Sequence, residues 1–197
     1  VKVFTHEASL ATEDPRKRER VIRYLYAYLA RNFSLSRDPY SRMGPALEGI
    51  VKKVTGSDDP YQALKEEANA RAKELLSGAE IGDLRLAIKY SLAGNALDFV
   101  HIAPEDAYRI MRETLEEGLE IDDTEEAVRL IEGSREITFV GDNAGEIYFD
   151  LPLLRLLLVA GKDVVYVARK GPMINDATVE DVEALGLEGL KVLGHPT

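Results

Sequence analysis

Apolar residues recur at helical spacing through the first two-thirds of the chain. Val21, Ile22, Leu25, Tyr28 and Leu29 share one face of a predicted helix. Asp14-Pro15 opens it, with Asp14 as the N-cap and Pro15 at the first helical position, where a missing N–H costs nothing; the pattern runs to about Asn32. Leu47, Ile50, Val51 and Val54 mark a second helix expected over Arg42 to Thr55, closed by Gly56. Asp59-Pro60 repeats the start signal for a helix ending near Gly78. Asp83 opens one through Leu84, Ala87, Ile88, Ser91 and Leu92, interrupted around Gly94-Asn95. Pro104 begins another that reaches Glu117, and Asp122-Asp123-Thr124 caps one that ends at Gly133. Tyr24, Tyr26, Tyr28 and Tyr40 are expected to fill or edge the helical core rather than form a stacking surface.

After Gly133 the period changes. Ile137-Thr138-Phe139-Val140 is a short β-branched and aromatic run, of the kind found in strands buried on both faces. A loop leads to a helix from about Ile147 to Ala160, stopped by Gly161. Val164 to Ala168 reads as a second strand, Thr178 to Leu185 as a helix, and Leu190 to Leu193 as a third strand. The expected fold class is therefore α/β: a helical N-terminal region (1–133) followed by a doubly wound, mostly parallel, Rossmann-like sheet (134–197). Three strands are few for such a sheet, and the chain opens on Val-Lys-Val, so it is expected to be part of a longer protein whose α/β domain continues past Thr197.

Composition narrows the chemistry. The chain has 197 residues, 25 Lys+Arg against 35 Asp+Glu, and a formal net charge of −10. At 45% hydrophobic and 30% charged it is expected to fold around a sizeable core. The acidic excess disfavours broad binding to nucleic acid or an anionic membrane, and no apolar run approaches the roughly 18 residues of a membrane helix. With no secretory signal pattern either, a cytoplasmic protein is expected. Cysteine is absent, which removes disulfides, thiol nucleophiles and thiolate metal sites from this stretch. Three histidines leave any metal site mainly to oxygen ligands.

Ligands of open α/β sheets bind beyond the carboxyl ends of the strands. The first such loop is Gly141-Asp142-Asn143-Ala144-Gly145-Glu146, and the second runs from Lys170 to Thr178 through Asn175-Asp176. Adjacent strands would place Asp142, Asn143 and Asp176 side by side, a hard-oxygen set suited to Mg²⁺ or Mn²⁺. The same residue types also serve as N-caps and Asx turns, and spacing alone does not separate the two roles. In Ala93-Gly94-Asn95-Ala96-Leu97-Asp98-Phe99, a continuous helix would present Asn95 and Asp98 on one face; a helix end at Gly94-Asn95 with a new cap at Asp98 fits equally. Neither a phosphate-binding G-x-x-x-x-G-K-[ST] loop nor the three glycines of a dinucleotide fingerprint is present. No Asp-x-Asp follows the first strand.

Three segments taken together, 94–99, 142–153 and 170–178, resemble the damage-control phosphatase family, most closely its stand-alone archaeal and bacterial branch. The resemblance covers essentially the whole chain. It implies a metal-dependent phosphatase that hydrolyses phosphate monoesters of small metabolites, sugar phosphates or damaged phosphometabolites, with Mn²⁺, Co²⁺, Ni²⁺ or Mg²⁺. It implies metal ligation by Asp142, Asn143 and Asp176, with Asn95 and Asp98 lining the pocket from the other side and Glu146 as the acidic residue of the first loop. Asp142, Asp98 and Glu146 are the expected catalytic residues, and Asn95, Lys170 and Asn175 the expected substrate contacts. His101 follows the helical motif and is a weaker candidate. Relatives of this branch carry a Cys-x-x-Cys before the position of Val1 and a lysine-bearing Lys-Gly-x-x-Asn-Phe/Tyr-Glu motif on a later strand. This chain contains neither, so part of the phosphate clamp is expected to lie outside it. Two other readings are a carboxyl methyltransferase using S-adenosylmethionine, which no glycine-rich stretch supports, and a non-catalytic acidic helical adaptor.

Overall fold

The computed structural model describes residues 1–33, 39–96 and 104–196. Helix α1 (Lys2–Ala11) precedes α2 (Pro15–Asn32), α3 (Pro39–Thr55), α4 (Gln62–Leu75), α5 (Leu84–Gly94), α6 (Pro104–Glu117) and α7 (Thr124–Gly133). The second part of the chain alternates β1 (Glu136–Val140), α8 (Glu146–Val159), β2 (Asp163–Arg169), α9 (Val179–Glu183) and β3 (Lys191–His195). The start signals act as their chemistry requires: Asp14 accepts from the Arg16 N–H and Asp83 from the Leu86 N–H. Helix α1 is not announced in the sequence. Its Lys-Val-Phe-Thr opening is β-branched and carries no side-chain cap; burial of Phe4, Glu7 and Ala8 holds it instead.

Packing divides the chain differently from the change of secondary structure at 133. One compact unit comprises residues 1–63 with 172–174; the other comprises 64–171 with 175–196. The first is built on Phe4, Ala8, Val21, Leu25, Met43, Leu47 and Val51. Only the Val21–Leu25 stripe of α2 is buried, so Tyr24 and Tyr26, expected to join or edge the core, are 51% and 59% exposed, while Tyr28 packs at its margin. The side chain of Tyr40 lies outside the described residues.

The second unit holds a parallel sheet in the order β1-β2-β3, with Ile137 opposite Val164 and Tyr166 opposite Val192. Right-handed crossovers between strands in that order put α8 and α9 on the same face. Val164, Tyr166 and Ala168 are buried there with Ile147, Leu154, Leu157 and Val182. This corrects the expectation that β1 is buried on both faces: its residues alternate between exposed and half-buried, and Val140 is 73% exposed. Among the described residues no helix is long and apolar enough to cross a membrane.

Candidate functional site

The two loops at the carboxyl ends of β1 and β2 are tied to each other through their backbones. The Ala177 N–H donates to the Asp142 carbonyl at 2.7 Å, and the Ala144 N–H donates to the Asn175 carbonyl at 2.9 Å. These two bonds bracket an isolated antiparallel bridge between Asn143 and Asp176. In a pair bracketed this way the partners do not bond each other, their Cα atoms lie about 4.5 Å apart, and their side chains share a face. Asn143 is buried, Asp176 is half-buried, and Asp142, one residue earlier, is exposed.

The capping role that spacing left open falls to other residues. The N-cap of α8 is Gly145, at φ 83° and without a side-chain cap. Its N–H donates to Asn69 Oδ1 at 2.7 Å, and a Cβ there would meet Ala68. The N-cap of α9 is Thr178, in a reciprocal capping box with Asp181. Neither Asp142 nor Asp176 is the N-cap residue of these helices.

Beneath the bridge, α5 and α8 face each other through a polar ladder. Glu146 and Asp150 lie one turn apart on α8, while Ser91 and Asn95 lie one turn apart at the end of α5. Asn95 Nδ2 donates to Glu146 Oε1 at 3.0 Å, and Ser91 Oγ donates to Asp150 Oδ1 at 2.6 Å. Glycine at 94 permits this approach, because a Cβ there would sit 2.6 Å from Phe149 Cβ. The second oxygens are also served. Glu146 Oε2 accepts the Asn143 N–H at 3.3 Å, with Asn143 Nδ2 at 3.5 Å, and Asp150 Oδ2 accepts the Tyr166 hydroxyl at 3.0 Å. A Cβ at Gly141 would fall 2.1 Å from Tyr166 Oη, so only glycine lets that hydroxyl reach.

Burial raises the pKa of both carboxyls. For Asp150 it lifts the value to about 7; the Ser91 and Tyr166 hydrogen bonds oppose the shift, and the neighbouring Glu146 charge adds to it. Glu146 is also raised, by burial first, against the hydrogen bonds from Asn95 and Asn143 and with a contribution from the Asp142 charge. Tyr166 is pushed far up by burial and by Asp150, so it remains a hydroxyl donor.

Asp176 has a partner that the sequence does not announce. Arg169, at the end of β2, donates from Nε to Asp176 Oδ2 at 2.6 Å, and its Nη1 lies 3.4 Å from His195 Nδ1. Of the expected substrate contacts, Asn95 lies on the ladder and Asn175 is buried in the second loop. Lys170 is exposed beside β3, where its N–H meets the His195 carbonyl at 2.9 Å. Asp98 and His101 lie outside the described residues. Ser91, Asp150, Tyr166 and Arg169 were not among the expected site residues. The i, i+4 pairing of Glu146 with Asp150 on a mostly apolar helix was a signal for Asp150 alone.

The donor set fits a hard divalent cation. Asn143 Nδ2 is turned toward Glu146, which leaves the amide oxygen as an acceptor on the face that Asn143 shares with Asp176, and such oxygens are what a hard cation takes. Among the described residues no three Asp, Glu, His or Cys side chains gather at one point.

Comparison with known proteins gives a consistent picture. Residues 3–192 match the model of the damage-control phosphatase ARMT1-like domain. A damage-control phosphatase of Pyrococcus horikoshii is 34% identical over 194 residues, covering 95% of this chain and 67% of that protein. One from Archaeoglobus fulgidus is 32% identical over 187 residues, covering 89% of this chain and 64% of its own length. The crystal structure of a DUF89 family protein from Pyrococcus horikoshii superposes with a TM-score of 0.82 at 29% identity, over 96% of this chain and 68% of that one. The chain thus spans about two-thirds of the length of these relatives.

Proposed function

The chain belongs to the damage-control phosphatase ARMT1-like family, and on that premise we propose that it is the metal-binding part of a phosphatase acting on phosphate monoesters of small metabolites. The observation that supports this most directly is the Asn143–Asp176 bridge, which brings oxygen donors from two strand ends to one face. In this reading Asp142, Asn143 and Asp176 hold a divalent cation (Mn²⁺, Co²⁺, Ni²⁺ or Mg²⁺). Such an ion supplies charge neutralisation at the phosphoryl oxygens and a lowered pKa for bound water.

The remaining work falls to the chain's own groups. Glu146 fixes Asn143 by its backbone and side-chain N–H groups and holds Asn95 from the other side, so the amides are oriented before substrate arrives. Its raised proton affinity makes it a better acceptor for the proton of an attacking water than an ordinary surface carboxylate, and we assign it that role. Asp98 is the second candidate base. Asn95 and Asn175 contribute amide groups toward the substrate. Exposed Lys170 is assigned to the rim, as an attraction for anionic substrate.

The test is phosphate release from a panel of sugar phosphates with each metal in turn, using this chain and the longer protein. Asp142→Ala and Asp176→Ala should each lower the metal-supported rate at least about 100-fold with unchanged circular dichroism. Hydrolysis that survives both substitutions overturns the proposal. Transfer of a labelled methyl group in place of phosphate release would favour the methyltransferase reading.

A further inference from the structure

The first compact unit carries a second feature, unrelated to the loops at the strand ends. Helix α2 holds six Lys and Arg against a single acidic residue, Glu19, in a chain whose net charge is −10. Part of that charge is structural: Lys17 caps the Thr55 carbonyl, Arg18 binds the Ser9 and Thr12 carbonyls, and Arg23 pairs with Glu19. Arg20 and Arg31 do neither, and with Lys53 of α3 they border a cavity of about 460 Å³. None of the three makes an ion pair or side-chain hydrogen bond among the described residues.

The cavity follows from the helical period. Arg20, Tyr24, Ala27, Tyr28 and Arg31 recur at intervals of three and four, forming a stripe along α2 beside its buried Val21–Leu25 face. Ile50, Lys53 and Val54 form the matching stripe on α3. Ala27, Ile50 and Val54 contribute apolar lining, Tyr24 and Tyr28 two aromatic rings, and Arg20, Arg31 and Lys53 three cations. Helix dipoles account for part of this, since Arg31 and Lys53 stand in last turns, where carbonyls favour cations. They do not account for Arg20, in the second turn of α2, or for a tyrosine left 51% exposed beside it.

We propose that this α2–α3 cavity binds a nucleoside phosphate. A planar base matches the tyrosine rings and apolar lining, and the phosphates match the unpaired guanidinium and ammonium groups. The volume falls in the range of small-molecule pockets. A long nucleic acid is disfavoured by the repulsion of the chain's overall negative charge.

The experiment is calorimetric titration of the chain at low salt with EDTA present, which removes any metal-assisted binding at the strand-end loops. ATP, AMP, adenosine and inorganic phosphate are the probes. ATP and AMP should bind at least tenfold more tightly than either adenosine or phosphate alone, because both halves of the cavity are needed. Arg20→Ala combined with Arg31→Ala should weaken ATP at least tenfold, and Tyr24→Ala about fivefold or more, in line with the loss of one stacking face. All three side chains are exposed, so circular dichroism should not change. The proposal is overturned if ATP does not bind, if phosphate alone accounts for its affinity, or if the variants bind as the parent does.

Discussion

Each of the two units buries carboxyl groups, and Glu7 of the helical unit meets the cost in the opposite way from Asp150 and Glu146 of the α/β unit. In the helical unit Glu7 is fully buried, and neither of its oxygens has a hydrogen-bond partner among the described residues. Nearby Glu48 is also buried, yet it is bound to Lys52 at 2.9 Å and accepts the Ile174 N–H at 3.3 Å. Burial lifts Glu7 to about 8, Glu48 and Asp59 push the same way, and Lys52 opposes them. Glu7 is accommodated by keeping its proton. In the α/β unit Asp150 and Glu146 are buried to a similar degree, but donors serve both oxygens of each. An orphaned carboxyl only costs stability, whereas a fully partnered one fixes the groups that surround it. The partnered acids are the ones that hold Asn95, Asn143 and Tyr166 in place beneath the candidate site.

The largest effect should come from breaking the partnered side. Asp150→Ala leaves the Ser91 and Tyr166 hydroxyls facing a void. An unsatisfied buried group costs about 1–3 kcal/mol, so the loss should be about 4 kcal/mol in urea unfolding. Asp150→Asn keeps the shape and one acceptor oxygen and should cost about half as much. A loss below about 0.5 kcal/mol for Asp150→Ala, typical of surface positions, would show that the ladder adds nothing.

The orphaned side should respond with the opposite sign. Glu7 ionises near 4.5 when unfolded and near 8 when folded. Between those values the unfolded chain has released a proton that the folded chain still holds. Stability is therefore intact below about pH 4.5, falls as pH rises through the window, and levels off above about 8. Glu7→Leu removes this dependence and should raise stability about 4 kcal/mol more at pH 8 than at pH 4.5. Urea midpoints at the two pH values measure it. An unchanged pH slope in the variant would mean that Glu7 is not the group that titrates.

These contrasts also mark how far the sequence could be read. Helix starts were legible wherever a cap residue met proline or an apolar stripe, as at Asp14 and Asp83; α1 lacks both signals and was not. The strand-end loops were legible because short acidic and amide side chains cluster there. Whether Asp142 and Asp176 cap helices was decided by residues farther along, Gly145 and the Thr178-x-x-Asp181 box. The rungs of the ladder join residues 51 and 59 positions apart, and spacing within one helix does not fix its register against another. Arg169 gave no signal, since an arginine closing a strand reads as an ordinary edge charge.

Arg169 supplies the finest test of the difference between served and unserved carboxyls. Its Nε holds Asp176 Oδ2 at 2.6 Å, with the two side chains 35% and 15% exposed. That bond engages one carboxylate oxygen and fixes the carboxylate plane. Arg169→Gln should weaken Mn²⁺ binding, read by calorimetry without substrate, about tenfold, near 1.4 kcal/mol. Arg169→Lys, which keeps the charge but not the planar fork, should recover part of the loss. Folding stability should move by no more than about 1 kcal/mol, because the pair is partly open to solvent. If the parent binds Mn²⁺ and Arg169→Gln binds it equally well, donors to carboxyls in this unit shape the fold and not the site. Tighter binding in the variant would show instead that the guanidinium occupies the place the cation takes.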